Sequence, residues 1–368
     1  MCGLDRAKLW CKLEVEPELV IIGIKKYFSK VNPKKISGDI QSFIISHENI
    51  NEIRIEEKQG DIILKIDFSY SRYEKNNNSI PLEDEDSKII IEQKLVDIIE
   101  KISLEKVTRE ELHYSYFEFA SQENVKSFYA YNNIFSCFYR GLTRKFKTSK
   151  NRTQFRDFDI KKDLFFSTGF IFQIDRGWKI RLYSKTHENN KKNKEKMKYA
   201  FIRFEHRLTK SMLTNIFGTD EVSKLTIQKI KTRTRETLNK VLFEILLEEI
   251  YRDVSVLENN FKEFSSRELG DLIRINQEHI LDEKIMCNVI KKISTKSKRQ
   301  VTRYKNVIRE TLKKIQNRGE LKRDNFGNIE RLDIFINKIL NIEIKVEHKK
   351  GCLTFKDVKK GHKDVRFY

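Results

Sequence analysis

Two segments in the middle of the chain alternate apolar and polar residues, and this period of two restricts them to strands of a sheet. In residues 178–185, WKIRLYSK, the apolar side chains recur at every second position up to Leu182. Because side chains on a strand point alternately to its two faces, the remaining residues share a polar face. That set comprises Lys179, Arg181, Tyr183 and Lys185.

The second segment, residues 199–208, has the same alternation. Arg203, Glu205 and Arg207 share one face, and the apolar residues fill the other. Strict alternation places His206 on the apolar side, where we expect a core histidine. The two strands together predict a polar face that carries a tyrosine, a carboxylate and several cations. This combination suits attack on a phosphodiester.

The chain is strongly basic, with a net charge of +20 and a pI of about 9.5. Such a balance indicates an anionic partner, most often nucleic acid. Residues 139–210 alone contain 21 Lys and Arg against 7 Asp and Glu. This clustering favours a phosphate-binding surface over the alternative, which is a general surplus of lysine from a biased genome.

The sequence favours a reduced cytoplasmic protein. Its cysteines show neither a C-x-x-C pair nor metal-ligand spacing, which argues against disulfides and zinc. They are Cys2, Cys11, Cys137, Cys287 and Cys352. No apolar run approaches the roughly 20 residues that span a bilayer, and the first residues do not resemble a signal peptide. We therefore expect no membrane contact.

Strand and helix patterns divide the chain. A glycine turn at Gly60 predicts a hairpin between residues 51–57 and 61–70, and residues 111–120 read as a further strand. Residues 88–103 show the apolar spacing of a helix. Residues 128–146 fit a helix or a strand, and the pattern does not decide between them.

From about residue 220 the pattern becomes helical. We predict an α+β chain with an antiparallel sheet, followed by an all-helical domain. The predicted ranges are 1–215 for a catalytic domain, 216–345 for a helical DNA-binding or accessory domain, and 346–368 for a loosely held basic tail.

Tyr183 is the candidate nucleophile. A phenol has a pKa near 10, so its attack on phosphate requires nearby cations or a metal. Arg181 and Lys185 flank it on the same predicted face. The alternative is that Tyr183 is an aromatic residue that covers part of the sheet.

Three carboxylates are candidate ligands for Mg²⁺ or Mn²⁺, which prefer oxygen donors. Strand parity selects Glu118 and Glu205, and Glu188 follows just after the first strand. Parity also places Tyr114 and Tyr116 on the face of Glu118. The alternative for Glu118 and Glu205 is a structural ion pair with arginine.

Basic residues in three regions are candidate DNA contacts. Those on the strands would bind the backbone, and those in the loop 186–198 would clamp it. A third group begins a helix at about 297–317 that closely follows the helix 282–293, as in a helix-turn-helix. The alternative there is a helical bundle with a solvated basic face. The residues are Arg181, Lys185, Arg203 and Arg207, then Lys191 and Lys192, then Lys298, Arg299 and Arg303.

Two motifs resemble a known family. Tyr183-x-Lys185-x-x-Glu188, followed by Arg203-x-Glu205, is similar to the paired motifs of rolling-circle replication initiators. These are the phage and plasmid proteins related to filamentous-phage gene II protein and to the Rep_trans initiators. Glu118 resembles the acidic residue on an earlier strand of that family, and residues 67–73 resemble a segment of its N-terminal half.

The resemblance implies an origin-specific, metal-dependent nicking and joining enzyme with a fold related to the HUH endonucleases. Its tyrosine would leave a phosphotyrosyl link and a 3′ hydroxyl for priming. The chain has no His-x-His pair, which agrees with a metal held by carboxylates. The implied partners are double- and single-stranded origin DNA, a host helicase and a polymerase. A homodimer is a further expectation.

Three other functions remain open. A non-catalytic theta-type initiator or repressor would use the same basic surfaces without cutting DNA. A conjugative relaxase or a transposase would share the nicking chemistry. An RNA-binding protein would use the aromatic-rich strands as stacking platforms.

Overall fold

The computed structural model forms two compact units, and the chain passes repeatedly from one to the other. The first unit consists of Met1–Gln122, Ile174–Ile180 and Phe204–Thr237, and the second of Glu123–Gln173, Arg181–Arg203 and Leu238–Tyr368. The structure describes residues 1–35, 40–45, 49–75, 80–125, 131–147, 149, 152–159, 164–186, 188, 200–262, 264, 268–279, 283–293, 298–317, 329–349, 352–357 and 365–366.

The strands are antiparallel wherever their register is defined, in agreement with the predicted sheet. They are β1 (Cys2–Leu13), β2 (Val31–Lys35), β3 (Ile40–Ile45), β4 (Ile50–Lys58), β5 (Asp61–Ser69), β6 (His113–Val125), β7 (Arg152–Asp159), β8 (Leu164–Gln173), β9 (Trp178–Ser184), β10 (Ala200–Thr209), β11 (Ile344–Lys349), β12 (Cys352–Asp357) and β13 (Val365–Arg366).

The helices lie between and after these strands. They are α1 (Pro17–Tyr27), α2 (Tyr70–Lys75), α3 (Glu85–Ser103), α4 (Asn132–Lys145), α5 (Lys210–Phe217), α6 (Ile227–Thr234), α7 (Lys240–Asn260), α8 (Leu269–Ile275), α9 (Glu283–Ile293), α10 (Lys298–Asn317) and α11 (Ile329–Ile334). Residues 128–146, which the pattern left open, therefore contain a helix. Within the described residues, no helix is long and apolar enough to cross a membrane.

The first unit is built on the sheet order β2-β3-β4-β5-β1-β6-β10-β9, to which β10 contributes 204–209 and β9 contributes 178–180. The predicted hairpin is confirmed: β4 and β5 meet at a turn where Gly60 has a φ of 82°. An L side chain rarely adopts that backbone conformation, so glycine suits the position. The core histidine is also confirmed, since Trp178 Nε1 donates to His206 Nδ1 at 3.1 Å inside the unit.

Helix α3 confirms the predicted helix and starts three residues earlier. Asp84 caps it by accepting a hydrogen bond from the Ser87 backbone N–H at 2.7 Å, and Leu104, with a φ of 60°, follows its last residue. An aspartate at this position satisfies a backbone donor that has no partner within the helix. The buried stripe runs along Ile91, Leu95, Ile98 and Ile102, as the spacing predicts. This stripe seats α3 against the unit's core.

A buried polar network also fastens α3 to the sheet. The Lys88 ammonium lies 2.8 Å from Glu92 Oε1, and both side chains are fully buried. The hydroxyls of Tyr70 and Tyr114 donate to the same oxygen at 2.8 and 3.2 Å. Burial raises the pKa of Glu92, and the neighbouring cations oppose that rise. A carboxylate in such a site depends on its partners, because an isolated buried charge is strongly unfavourable.

The second unit combines strands and helices. Residues 200–203 of β10, 181–184 of β9, β8 and β7 are neighbours in that order, and α4 packs on α7. On α7, Leu242, Ile245 and Leu246 are buried, whereas Val241 is 41% exposed. Where the sequence suggested a loosely held tail, β11, β12 and β13 form a small sheet. The strands therefore lie almost entirely in the range predicted as a tail, and the described residues from 216 to 343 form helices and connecting segments, as predicted.

The two units do not correspond to the predicted domains, because no single boundary along the chain separates them. The first unit extends to Thr237, and the second already includes Glu123–Gln173. The boundary at residue 215 and the relation to the HUH endonucleases stay predictions.

Candidate active site

Three buried carboxylates meet on the sheet of the first unit. Asp5 on β1, Glu118 on β6 and Glu205 on β10 each place an oxygen within 4.8 Å of the others. These strands are direct neighbours in the sheet. The predicted pairing of Glu118 with Glu205 on one face is thus confirmed by geometry, and Asp5 joins them.

A β-bulge brings Asp5 into this cluster. Leu4 is opposite Phe119 and Arg6 is opposite Glu118, so Asp5 has no partner of its own on β6. An extra residue in one strand bends it locally and re-aims a side chain. In a regular strand Asp5 and Arg6 would lie on opposite faces. The sequence pattern therefore gave no reason to place Asp5 with the polar side chains of β1, and sequence reasoning missed it. The segment Asp5-Arg6-Ala7-Lys8 contains no sequence signal that predicts a bulge.

A second irregularity corrects the prediction for Tyr114. Lys8 pairs with Tyr116 and Leu9 with Tyr114, so the register shifts at Ser115. Adjacent residues on β1 face opposite ways, and their partners do the same. Tyr114 therefore lies on the helix side with Glu92, and the prediction that it shares the face of Glu118 is wrong.

Tyr116 remains on the face of the acidic cluster. Its hydroxyl donates to Glu118 Oε1 at 2.5 Å, and its side chain is partly exposed. Burial and the Glu118 carboxylate raise the pKa of Tyr116. The phenol is consequently neutral near pH 7, and its proton points at the carboxylate that would accept it.

Cations surround the acids. The Arg207 guanidinium lies 3.3 Å from Glu118 Oε1 and 3.2 Å from Glu205 Oε2, which confirms that Glu205 and Arg207 share a face. Arg6 makes two hydrogen bonds to Asp67, at 2.8 and 2.6 Å. This fork geometry fixes the guanidinium plane.

The outer rim of the site is cationic and partly open to solvent. Lys8 also reaches Asp67, at 2.9 Å, while Asp67 itself is nearly buried. The Arg6 and Lys8 side chains are 43% and 35% exposed. An approaching phosphate would therefore meet cations first and the buried carboxylates below them. The alternating charges along β1 were the sequence signal for this rim, and the prediction did not include them.

The site is rich in carboxylates. Asp5, Glu118 and Glu205 lie together, and Asp67 lies beside them between Arg6 and Lys8. Burial, and next the negative charge of Glu205, raise the pKa of Glu118 to about 7. Clustered carboxylate oxygens are the donors that Mg²⁺ or Mn²⁺ prefers. The residues present therefore fit such an ion.

The raised pKa predicts that stability falls as pH rises. Glu118 keeps its proton in the folded protein up to about pH 7, whereas the unfolded chain releases it near 4.5. The folded state thus binds more protons between these values, and the free energy of unfolding decreases across that window by on the order of 3 kcal/mol. Thermal unfolding in metal-free buffer from pH 4.5 to 8 measures this decrease.

The matched variant is Glu118→Gln, which keeps an acceptor for Tyr116 but cannot ionise. We expect the difference between wild type and variant to grow in favour of the variant from pH 5 to pH 8. A difference that stays constant over this range would contradict the assigned environment of Glu118.

In the second unit, the predicted nucleophile Tyr183 is buried. Only 3% of it is exposed, and the Arg181 guanidinium lies 3.9 Å from the centre of its ring. Gly169 on β8 lets the strand pass close by, since a side chain there would overlap the backbone of Tyr183. In this conformation the phenol is not presented to solvent, so the observed burial does not support its assignment as nucleophile.

Glu188 forms ion pairs with the two cations that flank Tyr183. It lies 3.0 Å from Arg181 and 2.9 Å from Lys185. Glu188 therefore belongs to an ion-pair group of the second unit, and the described carboxylate cluster has Asp5 in the place that the sequence suggested for Glu188.

The predicted DNA contacts differ in their exposure. Arg181 and Arg207 are partly exposed, and each is ion-paired, Arg181 with Glu188 and Arg207 with Glu118 and Glu205. Arg203 and Lys185 are buried, at 0% and 3% exposed, so neither presents its charge on the surface. Their burial does not support the assignment to the DNA backbone, which stays a prediction. Lys191 and Lys192 lie outside the described residues. Lys298, Arg299 and Arg303 are exposed near the start of α10, as expected of a basic helix face.

Comparisons with known proteins assign no family. No family model matches the chain, and no curated protein matches it. A rolling circle replication initiator protein from Geobacillus stearothermophilus is similar over 58% of this chain and 76% of its own, with 12% identity and a TM-score of 0.34. The di-domain ARO/CYC StfQ from the steffimycin biosynthetic pathway is similar over 66% and 96%, with 8% identity and a TM-score of 0.20. Such low scores do not establish a shared fold or activity.

Proposed function

We propose that this protein is a replication initiator that binds origin DNA and cuts one strand through a tyrosine. The observation that carries the proposal is the Tyr116 hydroxyl, which donates to Glu118 within a buried carboxylate cluster under a cationic rim. The same arrangement would serve a plasmid or a phage initiator. It provides a nucleophile, a proton acceptor and sites for phosphate within one unit.

Each residue has a defined role in this proposal. Asp5, Glu118 and Glu205 would hold Mg²⁺ or Mn²⁺, which offsets negative charge on the phosphate oxygens when bound. Arg6 and Lys8 would bind the phosphates on the surface, where both side chains are partly exposed. Arg207 orients Glu118 and Glu205 through its contacts with both.

The chemical step is a transesterification. Tyr116 Oη forms a bond to phosphorus, and the bond from phosphorus to the 3′ oxygen of the preceding nucleotide breaks. The phenol proton passes to Glu118, and the leaving 3′ oxygen takes a proton from water. The products are a phosphotyrosyl link and a 3′ hydroxyl, and the reverse reaction rejoins the strand.

Tyr183 is the second candidate nucleophile, favoured by its motif and by the two cations beside it. Its burial requires that the ring move before it reaches DNA. Peptide mapping of a covalent adduct separates the two tyrosines directly.

The remaining partners belong to the same proposal. A 3′ hydroxyl would prime a host polymerase, and a host helicase would open the duplex ahead of it. A homodimer stays a prediction.

The test uses the full chain and a supercoiled plasmid that carries the DNA flanking its gene. With Mn²⁺ we expect nicked circles and a protein–DNA species that survives denaturing detergent, and EDTA should abolish both. Asp5→Asn should reduce both products, whereas Glu110→Gln, which removes an exposed carboxylate elsewhere in the unit, should not.

A non-catalytic initiator or repressor would bind this DNA without a covalent species. Binding with no adduct under any divalent metal would therefore reject the enzymatic proposal and favour that alternative.

A further inference from the structure

The second unit contains a compact group of helices around its own core. Helices α8, α9 and α10 pack together with the end of α7, and four residues separate α9 from α10. Their buried side chains are Leu257, Phe261, Leu269, Ile273, Met286, Cys287, Val289, Ile290, Tyr304, Ile308 and Leu312. A short connection between two helices on a shared core is the framework of a helix-turn-helix.

One side of α10 packs into this core. Tyr304, Ile308 and Leu312 are buried at helical spacing. The other side is exposed to solvent at Arg299, Thr302, Arg303 and Asn306. These four positions are three, four and seven residues apart, so they form one stripe on the helix surface.

The exposed stripe is positively charged, and no described carboxylate pairs with its cations. Among the described side chains, Lys298, Arg299 and Arg303 have no carboxylate within ion-pair distance. Elsewhere in the same helices, Arg309 pairs with Glu283 at 2.6 Å and Lys292 with Glu258 at 2.8 Å. The first half of α10 therefore carries three exposed cations without an ion-pair partner among the described side chains.

We infer that the first half of α10 enters the major groove of duplex DNA and reads bases there. This inference rests on the proposed function only for the identity of the duplex, which would be the origin. Positions 299 to 306 span about 10 Å along the helix, which matches three base pairs at 3.4 Å each.

The side chains suit distinct contacts. Arg303 and Asn306 form the second half of the stripe, and these residue types form paired hydrogen bonds with guanine and adenine edges. Lys298 and Arg299, at the helix start, are placed to bind phosphates and set the register. An RNA duplex is a poorer partner, because its deep, narrow major groove does not admit a helix.

The experiment selects duplexes with the full-length protein from a random library in EDTA, which prevents strand cutting. Fluorescence anisotropy then compares each variant on the selected duplex and on a scrambled duplex of equal length. We expect Arg303→Ala and Asn306→Ala each to lose about 5- to 100-fold affinity for the selected duplex, with less than a twofold change on the scrambled one.

Phosphate contacts behave differently from base contacts. Arg299→Ala should weaken both duplexes equally and lower the slope of log affinity against log salt by about one. Lys314→Ala is the matched control, because it removes an exposed lysine further along the same helix. Circular dichroism verifies that every variant remains folded.

Several results would overturn the inference: selection without a consensus, equal losses on both duplexes for Arg303→Ala and Asn306→Ala, or tighter binding to RNA of the same sequence. Its failure is distinct from failure of the proposed function. If a covalent adduct forms while these variants bind normally, only the role of α10 is rejected; if the variants lose specificity and no adduct forms, only the nicking activity is rejected.

Discussion

Replacing Tyr116 by phenylalanine is expected to abolish the covalent protein–DNA species and to lower strand nicking by on the order of 10³-fold or more. Loss of an enzyme's nucleophile has effects of at least this size, because the reaction then lacks its covalent path. The ring remains, so packing against the sheet is preserved while the hydrogen bond to Glu118 is lost. Nicking rates on the supercoiled plasmid with Mn²⁺ measure the effect.

The control is Tyr183→Phe, which removes a hydroxyl from a buried ring and leaves the acidic cluster unchanged. We expect that variant to retain the adduct at Tyr116, as identified by mass spectrometry of the nucleotide-linked peptide. Retained cleavage by Tyr116→Phe, together with loss in Tyr183→Phe, would reverse the assignment in favour of the motif tyrosine. DNA binding in EDTA should change less than twofold in either variant.

The second large effect concerns folding and involves Lys88. Lys88→Met would remove the ammonium that lies 2.8 Å from Glu92 and leave a carboxylate buried among two tyrosines, with Arg109 at 3.1 Å. Breaking one side of a buried ion pair typically costs about 3–5 kcal/mol of stability. We expect a loss near the lower end, because Arg109 remains. Urea denaturation measures the change in the free energy of unfolding.

Two further variants test whether the loss of stability arises from the buried pair of Lys88 and Glu92. Lys94→Met replaces an exposed lysine of the same helix and should change stability by less than about 0.5 kcal/mol. The double variant Lys88→Met with Glu92→Gln should recover a part of the loss, since the amide oxygen still accepts a hydrogen bond and carries no charge. A double variant as unstable as the sum of its single changes would contradict the proposed coupling.

Local sequence signals predicted the elements that depend on a few neighbouring residues. The hairpin at Gly60 follows from the positive φ of its turn, and the helix around Ile91 and Leu95 follows from apolar spacing. His206 was assigned to the core by parity alone, and it accepts a hydrogen bond from Trp178 there. These successes share one cause: alternation and helical spacing are properties of the backbone geometry of a single segment.

The same parity rule failed where a strand has an extra residue. At Asp5 and at Ser115 the register shifts, so Asp5 joins the acidic cluster and Tyr114 leaves the face of Tyr116. A bulge depends on how two strands pair, so the sequence of either strand alone does not predict it. Motif reasoning likewise selected Tyr183 by its flanking cations, but its exposure depends on what packs over the ring.

By itself, the sequence determined the strongly positive charge, the alternating strands around Lys8, Glu118 and Glu205, and the helical character of the later half. Each follows from residue types and their spacing within one segment. Only the tertiary structure decided which acids meet, which tyrosine reaches them, and which cations stay exposed. Those outcomes depend on strand register and on burial, which arise when segments distant along the chain pack together.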